Sequence, residues 1–282
     1  MLSRFSSSPL YRELGVNAVL LSHAHVDHSG YISFLREDIP IYTTEMTAFI
    51  AKAMQDSAPM DIEREVCYSS PRQLDENGYL MPKKGYLQPR PFRFVDSIAA
   101  TEEKREFWGR SPMKTKKLKT DESMAEGSTV DPWGEGADRV GPLPIRYFPV
   151  DHSIPGASAF AMETSTGWIG YTGDLRMHGK LGRKTEQAIE EMSALHPRIL
   201  VCEGTRIDEG ESATEEEVYY TALRLVQEEK GLVIADFGPR NVERLLTFLD
   251  IAQRTSRRLV ILAKDAYLLE AMRLASEDIP DL

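Results

Sequence analysis

Apolar and polar positions alternate in several distinct rhythms along this chain of 282 residues. Asn17-Ala-Val-Leu-Leu-Ser22 is a short apolar run, which predicts a strand over 17–22. Tyr31-Ile-Ser-Phe-Leu-Arg36 has helical spacing, which predicts a helix over 28–37 that ends before Pro40. A short β-rich run follows at 41–43. Met46, Phe49, Ile50 and Met54 then share one side of a helix predicted over 45–54. The pattern fades between 100 and 141, where Gly109, Gly127, Gly134, Gly136, Gly141, Pro112 and Pro132 interrupt a charged stretch. An irregular insertion is expected there.

Order returns with a strand over 145–150. Two further strands, 158–164 and 167–172, are joined by a turn at Ser165, Thr166 and Gly167, which makes them a hairpin. From 183 onward helices and strands alternate. Helices are expected over 185–195, 212–230, 240–253 and 266–275, and strands over 198–202, 232–235 and 259–263. The 212–230 helix opens on Ser212-Ala-Thr-Glu215, which has the form of a capping box. Strands separated by helices of this length predict parallel βαβ units.

Composition narrows the class. The chain is 41% hydrophobic and 28% charged, as a globular protein is. No apolar run reaches the roughly 18 residues of a membrane helix, and the first nine residues lack a signal-peptide core. Cys67 and Cys202 stand far apart, which suits a reducing cytoplasm and marks both as buried filler. The net charge of −10 argues against nonspecific phosphate binding. One basic cluster runs against that balance: Lys104, Arg105 and Arg110, then Lys114, Lys116, Lys117 and Lys119. A solvated loop is the favoured reading of it, ahead of a polyanion-binding patch. Trp108 and Trp133 read as packing residues before base-stacking ones.

The candidate chemistry lies at strand ends. His23, His25, Asp27 and His28 fall within six residues, directly after the 17–22 strand. Imidazole nitrogen and carboxylate oxygen are the donors a borderline ion such as Zn²⁺ takes. His152 follows the 145–150 strand, and Asp174 follows the 167–172 strand. Ligands at the ends of strands are rigidly framed, and strand ends of one sheet bring separate segments together. His178 reads equally as a residue that orients a carboxylate or touches substrate and as an exposed loop histidine. His196 is given no role.

The His-x-His-x-Asp-His run, followed in order by His152 and Asp174, resembles the signature of the metallo-β-lactamase superfamily. That resemblance implies an αββα sandwich with a dinuclear zinc site. His23, His25 and His152 would hold one ion, Asp27 and His28 the second, and Asp174 would bridge them. Asp151-His-Ser-Ile-Pro-Gly156 and Tyr171-Thr-Gly-Asp-Leu-Arg-Met-His-Gly179 resemble RNase J-type nucleases, especially archaeal ones. The region after 195 resembles the start of a β-CASP domain, with Glu203 at its acidic first motif. Gly238, Arg240 and Asn241 match a phosphate-contacting loop that opens a helix, where free backbone N–H groups suit an anion.

The fold expected is therefore α/β: an incomplete metallo-β-lactamase sandwich over 1–182, with 100–141 as its insertion, then a partial β-CASP-type parallel α/β domain over 183–282. The first histidine run begins early and no histidine follows His196, so the resemblance implies a chain truncated at both ends. The first metal site has four ligands in this chain and the second has three. The first is expected to bind more tightly. The implied activity is a cytoplasmic metal-dependent ribonuclease in RNA processing or decay. It would cleave single-stranded RNA through a metal-activated hydroxide, with Asp27 orienting the hydroxide. Glu203 is favoured as the partner of a metal-ligating histidine over a loop carboxylate. The alternatives are a small-molecule hydrolase of thioesters or lactones and an inactive metal-binding fragment. Unpaired strand edges favour association into a homodimer, and no membrane partner is implied.

Overall fold

The computed structural model describes residues 15–59, 62–70, 72–82, 87–97, 99–111, 116–117, 131–134, 137–205, 214–238, 241–276 and 279. The chain divides into two compact units, one of residues 1–140 with 267–282, the other of residues 141–266. The fold is mixed α/β, with parallel and antiparallel strand pairs, as the sequence predicts.

In the first unit three short parallel strands lie side by side: β1 (Val19–Leu20), β2 (Ile41–Thr43) and β3 (Phe92–Phe94), in the order β1-β2-β3. Helix α1 (Val26–Ser29) follows β1. Helix α2 (Glu45–Ser57) follows β2 directly. Thr44 caps α2, its hydroxyl accepting from Thr47 N at 3.2 Å. The predicted helix over 28–37 is not formed. Gly30 is extended, at φ −63° and ψ 160°. Tyr31 takes the left-handed φ of 60°. Together they break the i→i+4 ladder, leaving α1 and a 3₁₀ turn at Ile32–Phe34.

The supposedly irregular 100–141 segment contains helix α3 (Glu102–Gly109). Thr101 caps it through Lys104 N. Its Phe107 and the following Trp108 pack on Phe49 of α2 with ring centroids 4.8 and 5.9 Å apart. Trp133 is buried and meets Phe94 edge to face. Both tryptophans are therefore packing residues. Lys114 and Lys119 of the basic cluster lie outside the described residues.

The second unit is built on an antiparallel run of β4 (Leu143–Pro149), β5 (Ser158–Thr164) and β6 (Gly167–Tyr171). Strand β7 (Ile199–Val201) then joins β6 in parallel. Helix α4 (Gly182–Ser193) precedes β7 and lays Ala188 and Met192 on Phe148, Val150, Ala159 and Ala161. Helices α5 (Glu215–Glu228) and α6 (Val242–Arg254) follow. Helix α7 (Ala263–Ala275) starts in this unit and ends in the first.

Two predicted strands are absent. Segments 232–235 and 259–262 carry no strand, and Leu232, Ile234 and Val260 are more than four-fifths exposed. Strand composition alone does not make a ladder: each extended segment needs a neighbour to exchange hydrogen bonds with. Cys67 is buried as expected, but Cys202 at the end of β7 is exposed and is not filler.

Candidate metal centre

The first unit delivers its donors from the end of β1. Leu21 N donates to Tyr42 O at 2.9 Å, and Thr43 Oγ1 donates to Leu21 O at 2.7 Å. These bonds hold the chain extended through Ser22 and turn His23 inward, where it is fully buried. Ser22 Oγ lies 3.1 Å from His23 Nδ1. That contact leaves Nε2 as the natural ligand atom of His23. Helix α1 then folds the next donors back. Ser29 N and Ser29 Oγ both donate to His25 O at 2.8 Å, and Gly30 N donates to Val26 O at 2.6 Å. A Cβ at Gly30 would sit 2.4 Å from Val26 O, so only glycine permits this close return.

The outcome is a tight cluster of imidazoles. The His23 ring centroid is 4.9 Å from that of His25 and 4.1 Å from that of His28. Ligand atoms of His23 and His25 lie within 4.8 Å of each other, as do those of Asp27 and His28. Asp27 is the most exposed of the four, with its carboxylate 3.7 Å from His28 Nε2.

The second unit delivers its donors in the same way. Strands β4 and β6 both run antiparallel to β5, so their C-terminal ends lie at the same end of the sheet. His152 follows one and Asp174 the other, and His152 Nε2 is 3.7 Å from Asp174 Oδ2. Gly173, at φ +58°, makes the turn that aims Asp174. Strand β7 runs parallel to β6 and brings Glu203 to the same end. Glu203 Oε1 accepts from Leu175 N at 2.5 Å, and Glu203 N donates to Thr172 Oγ1 at 3.1 Å. This carboxylate therefore fixes the backbone beside Asp174. Its hydrogen-bond partner among the described residues is Leu175 N and not a histidine, which differs from the favoured reading.

A second set of side chains was not foreseen. Arg176, two residues after Asp174, reaches Asp151, Glu215 and Glu243. Burial pushes the Asp151 carboxyl up from its usual range, against the pull of the Arg176 guanidinium. His178 is exposed, as is His196. At the start of α6, Asn241 caps the helix by accepting from Arg244 N at 3.0 Å. Gly238 is exposed, and Arg240 lies outside the described residues.

Each unit thus presents nitrogen and oxygen donors in pairs close enough to chelate, with the residue types that suit Zn²⁺. Strand-end donors of this kind on a mixed α/β frame are consistent with a metallo-β-lactamase-like α/β fold. Sequence comparison points within that class. The chain is 25% identical over 250 residues to ribonuclease J of Mycolicibacterium smegmatis, covering 86% of this chain and 33% of that protein. It is 30% identical over 155 residues to ribonuclease J of Mycobacterium tuberculosis, covering 51% of this chain and 28% of that protein. It is 31% identical over 122 residues to ribonuclease J of Corynebacterium glutamicum, covering 42% of this chain and 17% of that protein. These likenesses support the RNase J and β-CASP branch of the superfamily.

The chain spans about a third or less of the length of these curated relatives. No protein-family profile matches it. A crystal structure of a protein of unknown function from Enterococcus faecalis V583 shares the fold, with a TM-score of 0.57 at 24% identity, covering 92% of this chain and 50% of that one. No helix among the described residues is long and apolar enough to cross a membrane.

Proposed function

We infer that this chain carries the metal-ligating part of a metal-dependent ribonuclease that hydrolyses phosphodiester bonds of single-stranded RNA. One observation carries the reading. His23, His25, Asp27 and His28 close on one another at the end of β1, and His152 meets Asp174 at the ends of β4 and β6. These are the same residues that match the superfamily signature in order. The similarity to proteins named ribonuclease J supports RNA as the substrate.

In this reading His23, His25, His152 and Asp174 hold one zinc ion, and Asp27, His28 and Asp174 hold a second, weaker one. Four donors complete a tetrahedral site, whereas three leave one open. When bound, the ions supply an acidified water and neutralise the phosphate oxygens. Ser22 orients the His23 ring through Nδ1. Asp27, the exposed carboxylate, orients the attacking water. Glu203 holds the Leu175 backbone and so fixes Asp174. Gly238, Arg240 and Asn241, just before α6, receive the phosphate chain, and His178, exposed four residues after Asp174, touches substrate. The metallo-β-lactamase-like part covers 1–182 and the β-CASP-like part 183–282. The protein works in the cytoplasm, in RNA processing or decay, as a homodimer.

The test uses the purified chain with an end-labelled single-stranded RNA and with a thioester substrate. The expected result is RNA cleavage after zinc loading that His152→Ala reduces to background. Thioester turnover with RNA left intact would overturn the ribonuclease reading. Metal analysis should find one tightly held ion per chain, and two ions of equal affinity would contradict the ranking of the sites.

A further inference from the structure

We propose that Arg176 is a positioning residue, a buried clasp that sets the spacing of His152 and Asp174 and ties both to the N-terminal ends of α5 and α6. The proposal rests on the metal reading above, and every residue of the clasp belongs to the second unit. Asp151 precedes His152 directly, and Arg176 follows Asp174 by two residues. Arg176 N donates to Asp151 O at 2.9 Å, and Arg176 Nε donates to Asp151 Oδ1 at 3.2 Å. Thr185 Oγ1 accepts from Asp151 N at 2.8 Å and donates to Arg176 O at 2.9 Å. Four hydrogen bonds thus zip the two ligand-bearing loops together immediately beside the ligands.

The far side of the same guanidinium engages two helix starts. Arg176 Nη1 lies 3.5 Å from Glu215 Oε1, and Nη2 bonds Glu243 Oε2. Glu215 is the first residue of α5 and Glu243 the second of α6, where carboxylates also suit the helix dipole. Arg244 Nη2 returns to Glu215 at 3.0 Å and joins α6 to α5. Glu243 stands two residues beyond Asn241, so the clasp links the ligand loops to the candidate phosphate loop.

Two features separate this from ordinary surface pairing. The Asp151 side chain is 1% exposed and that of Arg176 10%, and burying such charges costs more than apolar packing of the same volume. Space is also reserved for the clasp. A Cβ at Gly179 would sit 2.2 Å from Asp151 Oδ2 and 2.5 Å from Arg176 Nε. A compact ammonium cannot serve three carboxylates at fixed angles, whereas a planar guanidinium can.

Cobalt(II) titration of the zinc-free chain tests the clasp, read by the visible spectrum and by competition affinity. Arg176→Lys and Gly179→Ala should each weaken cobalt binding by about tenfold and shift the visible bands, as loss of support behind metal ligands does. Glu243→Gln should do so more weakly, and Arg224→Ala on the exposed face of α5 not at all. Thermal melts of each variant report its fold. Arg176→Lys with wild-type cobalt affinity and spectrum overturns the clasp. If that variant does not fold, Glu243→Gln decides, and unchanged cobalt binding in it is equally fatal. A wild-type chain that binds cobalt but leaves RNA intact sinks the ribonuclease reading and spares the clasp. A wild-type chain that takes up no cobalt sinks both.

Discussion

Both units bury an ion pair, and they use it differently. In the first unit Lys52 Nζ meets Asp56 Oδ2 at 2.7 Å on α2, both side chains almost wholly enclosed. Tyr68 and Tyr267 donate to the same carboxylate at 2.6 and 2.8 Å, and the Lys52 ammonium also bonds Arg110 O. The ammonium stands 4.8 Å over the Phe107 ring. Tyr68 and Phe107 are buried and Tyr267 is half-buried, so this pair joins α2, α3 and the start of Tyr267's helix. In the second unit the buried Arg176 set adjoins His152 and Asp174. The chemistry is similar, and what differs is the neighbouring chain. A buried charge among aromatic packing residues serves the fold, whereas one beside ligand loops serves the site.

The largest expected effect breaks the first member of this comparison. Lys52→Met leaves Asp56 buried with hydroxyl partners only. It should cost about 3–5 kcal/mol, the penalty for stranding one partner of a buried pair. Urea unfolding followed by tryptophan fluorescence measures it, since Trp108 and Trp133 lie in the same core. Cobalt affinity of the surviving folded chain should not change. A loss of cobalt binding at constant fold would erase the distinction between the two pairs.

Next in size is Glu203→Ala in the second unit. It removes the acceptor of Leu175 N and the carboxylate that steadies Asp174. The expected cost is about 1–3 kcal/mol for an unsatisfied donor, with a parallel fall in cobalt affinity. Unfolding and titration on the same sample check it. A stability loss without any change in cobalt binding would make Glu203 a fold residue like Lys52.

The two pairs were also unequally legible. The candidate ligands stand out in the sequence because each is local to a strand end: His23 to His28 in one run, His152 after β4, Asp174 after β6. The β4–β6 meander was readable from alternation. Lys52 and Asp56 stand four apart on α2, a spacing that signals a pair but not its burial. Arg176 had no signal of this kind, because its carboxylate partners lie 25, 39 and 67 positions away in sequence. The missing strands at 232–235 and 259–262 share that cause. Composition reports that a segment suits a sheet, but the pairing partner is a property of the whole fold.

A smaller effect probes how firmly α5 is set beneath the clasp. Thr214 and Glu217 form a full capping box, with Thr214 N donating to Glu217 Oε2 at 2.7 Å and Glu217 N to Thr214 Oγ1 at 3.2 Å. Thr214→Ala should cost about 1 kcal/mol. Helix fraying at Glu215 would loosen one arm of Arg176, so a small drop in cobalt affinity should accompany it. Circular dichroism melts and titration read the two together. A cap loss that leaves cobalt binding untouched would show that Asp151 and Glu243 hold Arg176 without α5.

The smallest effect expected is a change of slope with pH, and it belongs to the first unit. Asp96 accepts from Glu45 N at 2.8 Å at the start of α2; the residue as a whole is exposed, yet desolvation of its carboxyl by the surrounding chain pushes it above the usual range. The folded chain therefore keeps the Asp96 proton to higher pH than the unfolded chain does. This proton's contribution is complete below the unfolded value of about 3.9 and is lost as pH rises through the folded value. Asp96→Asn keeps an acceptor for Glu45 N and removes the titration. Wild type and variant should therefore differ by a constant amount in acid, and the variant should gain relative stability as pH rises toward neutral. Urea midpoints measured across the acid range read this directly. Parallel curves for the two proteins would mean that Asp96 is solvated and that the start of α2 is held by its Thr44 cap alone.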